Sequence, residues 1–467
     1  MAEPPTILSA TPRPPLLERL GLHRPELRAW AMYDWALSAM QTVVMAAVFP
    51  VYFVRVVGAD LPGSGGTQLL ARTNAVALAL AALLSPVLGA LADSGAMKKR
   101  LLAVFTTVGV ASTGGLFLVQ RGDVAAAALL FGLCMIAGSA CLVFYESLLP
   151  HVARAEEMDR VSTAGYAVGY LGGGLLATLN LAWIQWPERF GLPHGAGAPE
   201  AARTLPARLA FLSVAVWWLV FAVPLFLRVR EPPRRLEPGE AARASAVRVA
   251  FARLGSTLRE LRGYRQAFLM LLAFLVYNDG IQTIIKMAAA YGSELGIGTG
   301  ALIGSIVLVQ FVGIPFSFLF GAVAGRIGAK RAIFAGLVVY AAIAVLGYRM
   351  RTASHFLVLA LLVGMVQGGT QALSRSLFAS LVPPHRSGEF FGFYSVFEKF
   401  AGLFGPLLFD LVIGMTGSSR NAILSVIAFF VVGAALLSRV DVEAGRRAAA
   451  EAEAAAHAAG PPALSGA

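Results

Sequence analysis

Charged side chains interrupt several long apolar segments of this chain. Asp279 and Lys286 stand seven residues apart, so on a helix they share one face, two turns apart. Glu398 and Lys399 are adjacent in a later segment. A charge near the centre of a bilayer costs at least about 2.5–3.5 kcal/mol on insertion scales, so each one needs a partner, water or a function. The chemistry available to this set is proton transfer on a carboxylate, binding of an amine, and carboxylate–lysine pairing.

The four deep charges have different expected roles. Adjacent residues on a helix point about 100° apart, so we expect Glu398 to face a cavity and Lys399 to be satisfied by another helix. A Glu398–Lys286 pair across the protein is a further possibility that the sequence leaves open. Asp279 is expected to titrate or to hold a substrate amine, and its replacement by Asn to abolish pH-driven transport. The alternative for each is a polar cluster that only holds helices together.

Further polar residues could complete such a site. Asp34 and Glu146 lie about a turn from one end of their segments, where a carboxylate reaches water, and Asp34 is also near a helix N-terminus that stabilises it. Arg375 can extend to the interface or bind a substrate carboxylate. Hydroxyl and amide candidates for the same cavity are Tyr145, Asn278, Gln282, Gln367 and Gln371.

The elements that must position these residues are membrane helices. Of the 467 residues, 57% are hydrophobic and only 14% are charged. Apolar segments of about 20 residues, each long enough to cross the hydrocarbon layer, recur along the chain. We predict an all-α, polytopic membrane protein with twelve helices, at 30–54, 71–91, 101–119, 124–149, 162–186, 208–227, 267–291, 301–324, 332–348, 356–378, 390–413 and 421–438.

The basic residues set the expected orientation. The net charge is +12, but no basic stripe with interleaved aromatics is present, which argues against nucleic-acid binding. Arg and Lys concentrate in alternate connections, and this favours cytoplasmic termini. The membrane that we expect is a bacterial-type cytoplasmic (inner) membrane. The expected parts are an N-terminal tail (1–29), a six-helix bundle (30–227), a basic linker with some amphipathic helix (228–266), a second six-helix bundle (267–438) and an Ala-rich tail (439–467).

A short repeat relates the two halves. Residues 41–47 read QTVVMAA, and residues 282–289 read QTIIKMAA. Each copy lies in the first apolar segment of its half. A parallel repeat of membrane helices is typical of carriers whose binding site lies between two halves.

Two connections carry a motif of small and basic residues. Residues 89–100 read GALADSGAMKKR, and residues 321–331 read GAVAGRIGAKR. Both resemble the loop 2–3 and loop 8–9 signature of the major facilitator superfamily, in which the loop locks the cytoplasmic side. The resemblance implies gating roles for Gly89, Asp93, Lys98, Lys99, Arg100, Gly321, Arg326, Lys330 and Arg331. Ser94 and Met97 depart from the signature, as does Gly325.

Four other stretches narrow the resemblance. They read RAWAMYDWA (28–36), YNDGIQTIIK (277–286), QALSRS (371–376) and EFFGFY (389–394). Together they are similar to the "unknown major facilitator" family, bacterial relatives of the vacuolar amino-acid effluxers of fungal autophagy. The relation implies the major facilitator fold and amino acids as plausible cargo.

The sequence therefore predicts a secondary active transporter that moves a small polar solute, such as an amino acid, by alternating access coupled to protons. The alternatives are an exporter of drugs or other metabolites, and a membrane sensor or scaffold that transports nothing. No nucleotide-binding loop or zinc-protease spacing is present, so we expect no enzyme activity, no cofactor and no metal. The expected partners are the solute, protons and the lipid bilayer, with the protein a monomer.

Overall fold

Helices make up nearly all of the ordered architecture. A computed structural model describes residues 15–62, 65–195, 197, 199–233, 264–295, 297, 299–402 and 404–458, and no strand occurs among them. The N-terminal half contains α1 (Pro25–Val57), α2 (Gly65–Gly95), α3 (Lys98–Gly115), α4 (Val124–Ser147), α5 (Met158–Gln185) and α6 (Leu205–Arg228). The C-terminal half contains α7 (Arg265–Glu294), α8 (Thr299–Ile327), α9 (Ala329–Tyr348), α10 (Ala353–Ser380), α11 (Ser387–Phe400), α12 (Phe404–Thr416) and α13 (Ser419–Ser438).

Twelve passes follow from these helices. In the described part of the chain, eleven helices are long and apolar enough to cross a membrane. The remaining pass consists of α11 and α12 in series. Two six-helix bundles are therefore the observed fold, as the sequence predicted. Most of the predicted linker, including its amphipathic segment 248–262, lies outside the described residues.

The eleventh pass is broken, although the sequence suggested an unbroken helix over 390–413. α11 ends at Phe400, where the N–H of Ala401 still donates to the Phe397 carbonyl at 2.9 Å. Gly402 then takes a φ of 84°, in the left-handed region that glycine enters without the steric cost of a side chain. A new helix begins at Phe404. Hydropathy continues across this point, so the apolar pattern alone could not reveal the break.

Both described termini lie at one end of the bundle, which we call the terminal end; the opposite end is the far end. Near the N-terminus, Arg24 pairs with Glu157 in the connection between α4 and α5. At the other terminus, α14 (Val442–Ala458) follows α13 as a helix of 17 residues in the predicted Ala-rich tail. Its Glu453 pairs with His385, in the connection between α10 and α11, at 2.6 Å. The tail is thus attached to the terminal end of the C-terminal half.

Helix contacts join the halves in two regions of the described chain. α2 and α4 pack against α11, and α5 packs against α8 and α10. Where α2 crosses α11, a Cβ on Gly89 would lie 2.0 Å from the carbonyl oxygen of Gly388. In the related crossing, a Cβ on Gly321 would lie 2.2 Å from Oγ1 of Thr163. Gly89 therefore lets the halves approach to backbone contact, and Gly321 lets α8 approach the Thr163 side chain of α5.

A disulfide test follows from the α2–α11 crossing. The Oγ atoms of Ser85 and Ser395 lie 3.4 Å apart, so Ser85→Cys with Ser395→Cys should form a disulfide between the halves. The chain would have Cys134 and Cys141 replaced by Ala and a protease site inserted in the linker. After oxidation and cleavage, the halves should stay together on a non-reducing gel.

The control pairs Ser85→Cys with Ser425→Cys, because Ser425 belongs to a segment that packs on α9 and α12. That pair should let the halves separate after cleavage. Separation of the Ser85–Ser395 pair under the same oxidation would contradict the packing of α2 on α11.

Candidate functional site

A cavity of about 550 Å³ lies between the two halves. Its lining extends to Met350 and Phe356, beside the far-end connection between α9 and α10. The halves contact each other closely at the terminal end. Predicted site residues in the lining are Asp34, Glu146, Gln282, Gln367, Gln371, Arg375 and Glu398.

Both copies of the sequence repeat contribute residues to the lining of this cavity. Gln41 of α1 and Gln282 of α7, the first residues of the two copies, both line it. Gln41 belongs to a π-helical stretch of α1, Met40–Val48, a local geometry that is frequent at functional sites. Next to it, Thr42 Oγ1 accepts a hydrogen bond of 3.0 Å from the Gln310 amide of α8. Equivalent helices thus contribute amide groups from both sides.

Arg375 crosses from the C-terminal half into the N-terminal half. Arg375 is only 1% exposed. Nε donates to Oγ of Ser162 at 3.0 Å, and Nη2 donates to the Ser162 carbonyl at 2.8 Å. Nη1 lies 3.6 Å from Oδ2 of Asp34 and 3.8 Å from Oε1 of Glu146. All four contacts are to α1, α4 and α5, so this one side chain ties α10 to the other half.

Aromatic rings surround the same guanidinium. Its Cζ lies 5.0 Å from the ring centre of Trp30, 5.7 Å from that of Tyr145 and 4.5 Å from that of Tyr166. Arginine is favoured over lysine at such a place, because its planar group stacks on rings while it donates hydrogen bonds. All three rings belong to the N-terminal half, so these contacts to Arg375 exist only while the halves are closed around it.

The two carboxylates beside Arg375 are held differently. Asp34 accepts hydrogen bonds of 3.2 Å from the Tyr145 hydroxyl and 3.2 Å from the Ser38 hydroxyl. Glu146 is 3% exposed, and its Oε2 is buried without a hydrogen-bond partner among the described residues. Glu398 of α11 is an electrostatic neighbour of Glu146. A buried, unsatisfied acceptor costs free energy, so a proton or a ligand donor that reaches Glu146 Oε2 would remove that cost.

Three other predicted residues lie elsewhere. Asp279 is 1% exposed and is not among the described residues that line the cavity. Its carboxylate accepts the backbone N–H groups of Phe404 and Gly405 in α12 and of Gly402 just before that helix. Asn278 beside it is also buried. Lys399 bonds Ser395 of its own helix rather than another helix. The Lys286 side chain lies outside the described residues, so the possible pair with Glu398 stays a prediction.

The first signature loop closes the terminal end. Lys98 Nζ lies 2.7 Å from Asp93 Oδ1 and donates to Oγ of Ser387 at 2.7 Å. Asp93 Oδ2 accepts the N–H of Glu389 at 2.8 Å, so loop and α11 are bound directly. Lys99 Nζ donates to the Phe226 carbonyl.

The second signature loop makes contacts within its own half. Lys330 donates to the carbonyls of Ser438 and Val440 at the end of α13. Arg100, Arg326 and Arg331 are exposed at the terminal end. The two loops have therefore diverged: in the described part of the chain, an acidic residue paired with a loop lysine occurs only in the first.

Sequence reasoning missed the uncharged partners of the site. Ser162 and Tyr166 of α5 are themselves uncharged, and the charges before them, Asp159 and Arg160, lie in the first turn of the helix; Trp30 stands out in the sequence only as part of a motif. The available signal was spacing: Ser162 and Tyr166 are four residues apart and share a helix face. Nothing in the spacing shows that this face meets Arg375.

Comparisons with known proteins agree with this architecture. The family described as "Vacuole effluxer Atg22 like" matches residues 69–450. An uncharacterized MFS-type transporter of Bacillus subtilis (strain 168), YxiO, is 36% identical over 417 residues, which cover 89% of this chain and 94% of that protein. Autophagy-related protein 22-1 of Aspergillus niger is 26% identical over 307 residues, covering 62% of this chain and 48% of that protein.

Solved structures show the same fold. FucP, a major facilitator superfamily transporter in the outward conformation, superimposes with a TM-score of 0.67 at 14% identity, covering 90% of this chain and 99% of that one. The proton:xylose symporter XylE gives a TM-score of 0.64 at 12% identity, covering 89% and 95%. At these identities the likeness is one of architecture.

The Arg375 cluster gives a stability prediction. Arg375→Gln should lower the free energy of unfolding by about 3–5 kcal/mol, because it leaves the buried Glu146 and the part-buried Asp34 without their cation. Adding Asp34→Asn and Glu146→Gln should recover part of this loss, since no uncompensated charge then remains. Denaturant unfolding in detergent micelles, followed by tryptophan fluorescence, measures both values.

Arg331→Gln is the matched control, because Arg331 is exposed, and it should change the free energy of unfolding by less than about 0.5 kcal/mol. Strictly additive effects in the triple variant would show that the three side chains do not interact.

Proposed function

This chain belongs to the Atg22-like family of major facilitator superfamily transporters, and we propose that it moves a small polar solute, such as an amino acid, by proton-coupled alternating access. Transport as such follows from the family, whose members are carriers rather than enzymes. The solute and the proton are the parts proposed. The observation that supports them is Arg375, buried against two carboxylates of the opposite half at the base of the cavity.

The closed terminal end depends on charge balance in this cluster. Arg375 of one half faces Asp34 and Glu146 of the other, so attraction across the interface favours closure. A proton on Glu146 removes one of the two negative partners. The attraction then weakens, and the terminal end opens more readily. Return of the proton to the solution on that side restores the pair and the closed state, which links proton movement to the change of access.

The lining suits a solute with both polar and apolar parts. Glu146 and Glu398 can accept hydrogen bonds from an ammonium group, and the amides of Gln367 and Gln371 can donate to a carboxylate. Toward the far end the lining becomes apolar, with Val363 among its residues. A cavity of about 550 Å³ falls in the range of about 300–1,000 Å³ that small-molecule sites occupy. These features favour an amino acid over a purely anionic metabolite.

We further infer that the terminal end faces the cytoplasm of a bacterial-type cell, in its inner membrane. Basic residues are enriched in the connections at that end, which is the pattern of segments retained inside. The described cavity would then lead to the outside, and the Asp93–Lys98 pair would close the inner side.

Transport in proteoliposomes tests the proposal. A panel of labelled amino acids should include at least one that the protein exchanges in counterflow and accumulates when a pH gradient is imposed. Glu146→Gln should retain counterflow but lose most gradient-driven accumulation, because its side chain mimics the protonated state permanently.

Glu188→Gln is the matched control, since Glu188 is exposed near the far end, and it should keep both activities. Accumulation by Glu146→Gln at the native level would refute the proton role. Failure of every amino acid, with exchange of another solute, would refute the proposed cargo.

A further inference from the structure

The break in the eleventh pass is built against a single carboxylate. Asp279 Oδ1 accepts the N–H of Gly402 at 2.8 Å and that of Gly405 at 2.9 Å. Its Oδ2 accepts the N–H of Phe404 at 3.1 Å. The first N–H groups of a helix have no partner inside that helix, and a negative charge there is favoured by the helix dipole. Asp279 therefore stabilises the start of α12 in the middle of a pass.

The turn of α7 that contains Asp279 and Thr283 also packs closely against the start of α12. A Cβ on Gly405 would lie 1.7 Å from Oγ1 of Thr283, so this close seating requires glycine. Thr283 Oγ1 donates to the Asp279 carbonyl at 2.7 Å, which keeps its hydroxyl satisfied within α7. The joint is the connection between α11 and α12, at Ala401 and Gly402. Together with the left-handed Gly402, these contacts fix both its position and its direction.

The joint divides the eleventh pass between the two halves. α11 packs mainly on α2 and α4 of the N-terminal half, whereas α12 packs on α7 and the first turns of α13. The last turn of α11 carries Glu398, which lines the cavity. The direction in which α11 leaves the joint consequently decides where that carboxylate stands relative to Glu146.

We propose that Asp279 is a positioning residue: by holding the joint between α11 and α12, it sets Glu398 into the cavity. It is then not the proton carrier that its depth suggested. Three N–H groups of the backbone donate to its two oxygens, and hydrogen bonds of this kind favour the charged carboxylate over the protonated form. The functional meaning of Glu398 in the cavity rests on the transport function proposed above; the positioning itself does not.

Thiol labelling tests the positioning. In the full-length protein with Cys134 and Cys141 replaced by Ala, Glu398→Cys should react with a membrane-impermeant thiosulfonate entering the cavity. Asp279→Ala should slow this reaction about tenfold, the scale expected for losing hydrogen bonds to a charged group. Gln367→Cys, in the cavity lining on α10, is the matched control, and Asp279→Ala should change its labelling rate by less than about twofold.

Gly402→Ala provides an independent route, because it strains the left-handed residue between α11 and α12 without replacing an ionisable side chain. It should slow the labelling of Glu398→Cys but not that of Gln367→Cys, as Asp279→Ala does. If Asp279→Ala does not fold, Gly402→Ala alone provides this comparison of the two labelling rates. Slowing at both cysteines, or at neither, overturns the proposal.

The pH dependence of transport separates positioning from proton carriage. Asp279→Asn retains one acceptor oxygen and nearly the same shape, so it should still accumulate solute when a pH gradient is imposed. Loss of accumulation with intact counterflow would identify Asp279 as the carrier and overturn the proposal. If the native protein transports no solute, the transport function fails, while the labelling comparison still decides the role of Asp279.

Discussion

The burial of Arg375 at the interface between the two halves is the interaction on which the rest of this structure depends. A guanidinium away from water must be paired and hydrogen-bonded, and here every hydrogen-bond and ion-pair partner among the described residues belongs to the opposite half. Closure of the terminal end is therefore also the completion of a charge cluster. The Asp93–Lys98 pair and the backbone contact of Gly89 with Gly388 close the same end nearer its surface. The Arg375 cluster and these surface contacts thus form one continuous layer between the cavity and the terminal end.

The internal repeat supplies the frame, and departures from it supply the chemistry. Gln41 and Gln282 occupy corresponding helices and both line the cavity. The eleventh pass, by contrast, is broken at Gly402 and capped by Asp279. A break within the membrane is tolerated where other groups satisfy the freed backbone, and a carboxylate with several acceptor positions does this efficiently. The last turn of α11 before the break carries Glu398, which lines the same cavity as Glu146.

Much of the fold was predictable from the sequence, because a membrane pass is recorded locally in about 20 apolar residues. The conspicuous charges were predictable for the same reason: Arg375, Glu146 and Glu398 stand out against hydrocarbon. Their partners were not, since Ser162 and Arg375 are 213 positions apart and no local pattern connects them. Asp279 shows the limit most clearly. Its depth suggested a titrating group, and the sequence did not indicate that its carboxylate accepts the backbone N–H groups of Gly402, Phe404 and Gly405, because that contact depends on the tertiary packing of α12 against α7.

The most direct test of the Arg375 account is the distance across the terminal end, measured by pulsed electron paramagnetic resonance. Spin labels at Arg100→Cys and Arg331→Cys, both exposed and on opposite halves, report closure directly when Cys134 and Cys141 are replaced by Ala. The account predicts a single short-distance population in the native background. It predicts a second, longer population when Arg375 is replaced by Gln. An unchanged distance distribution in that variant would contradict the claim that the buried arginine holds the two halves together.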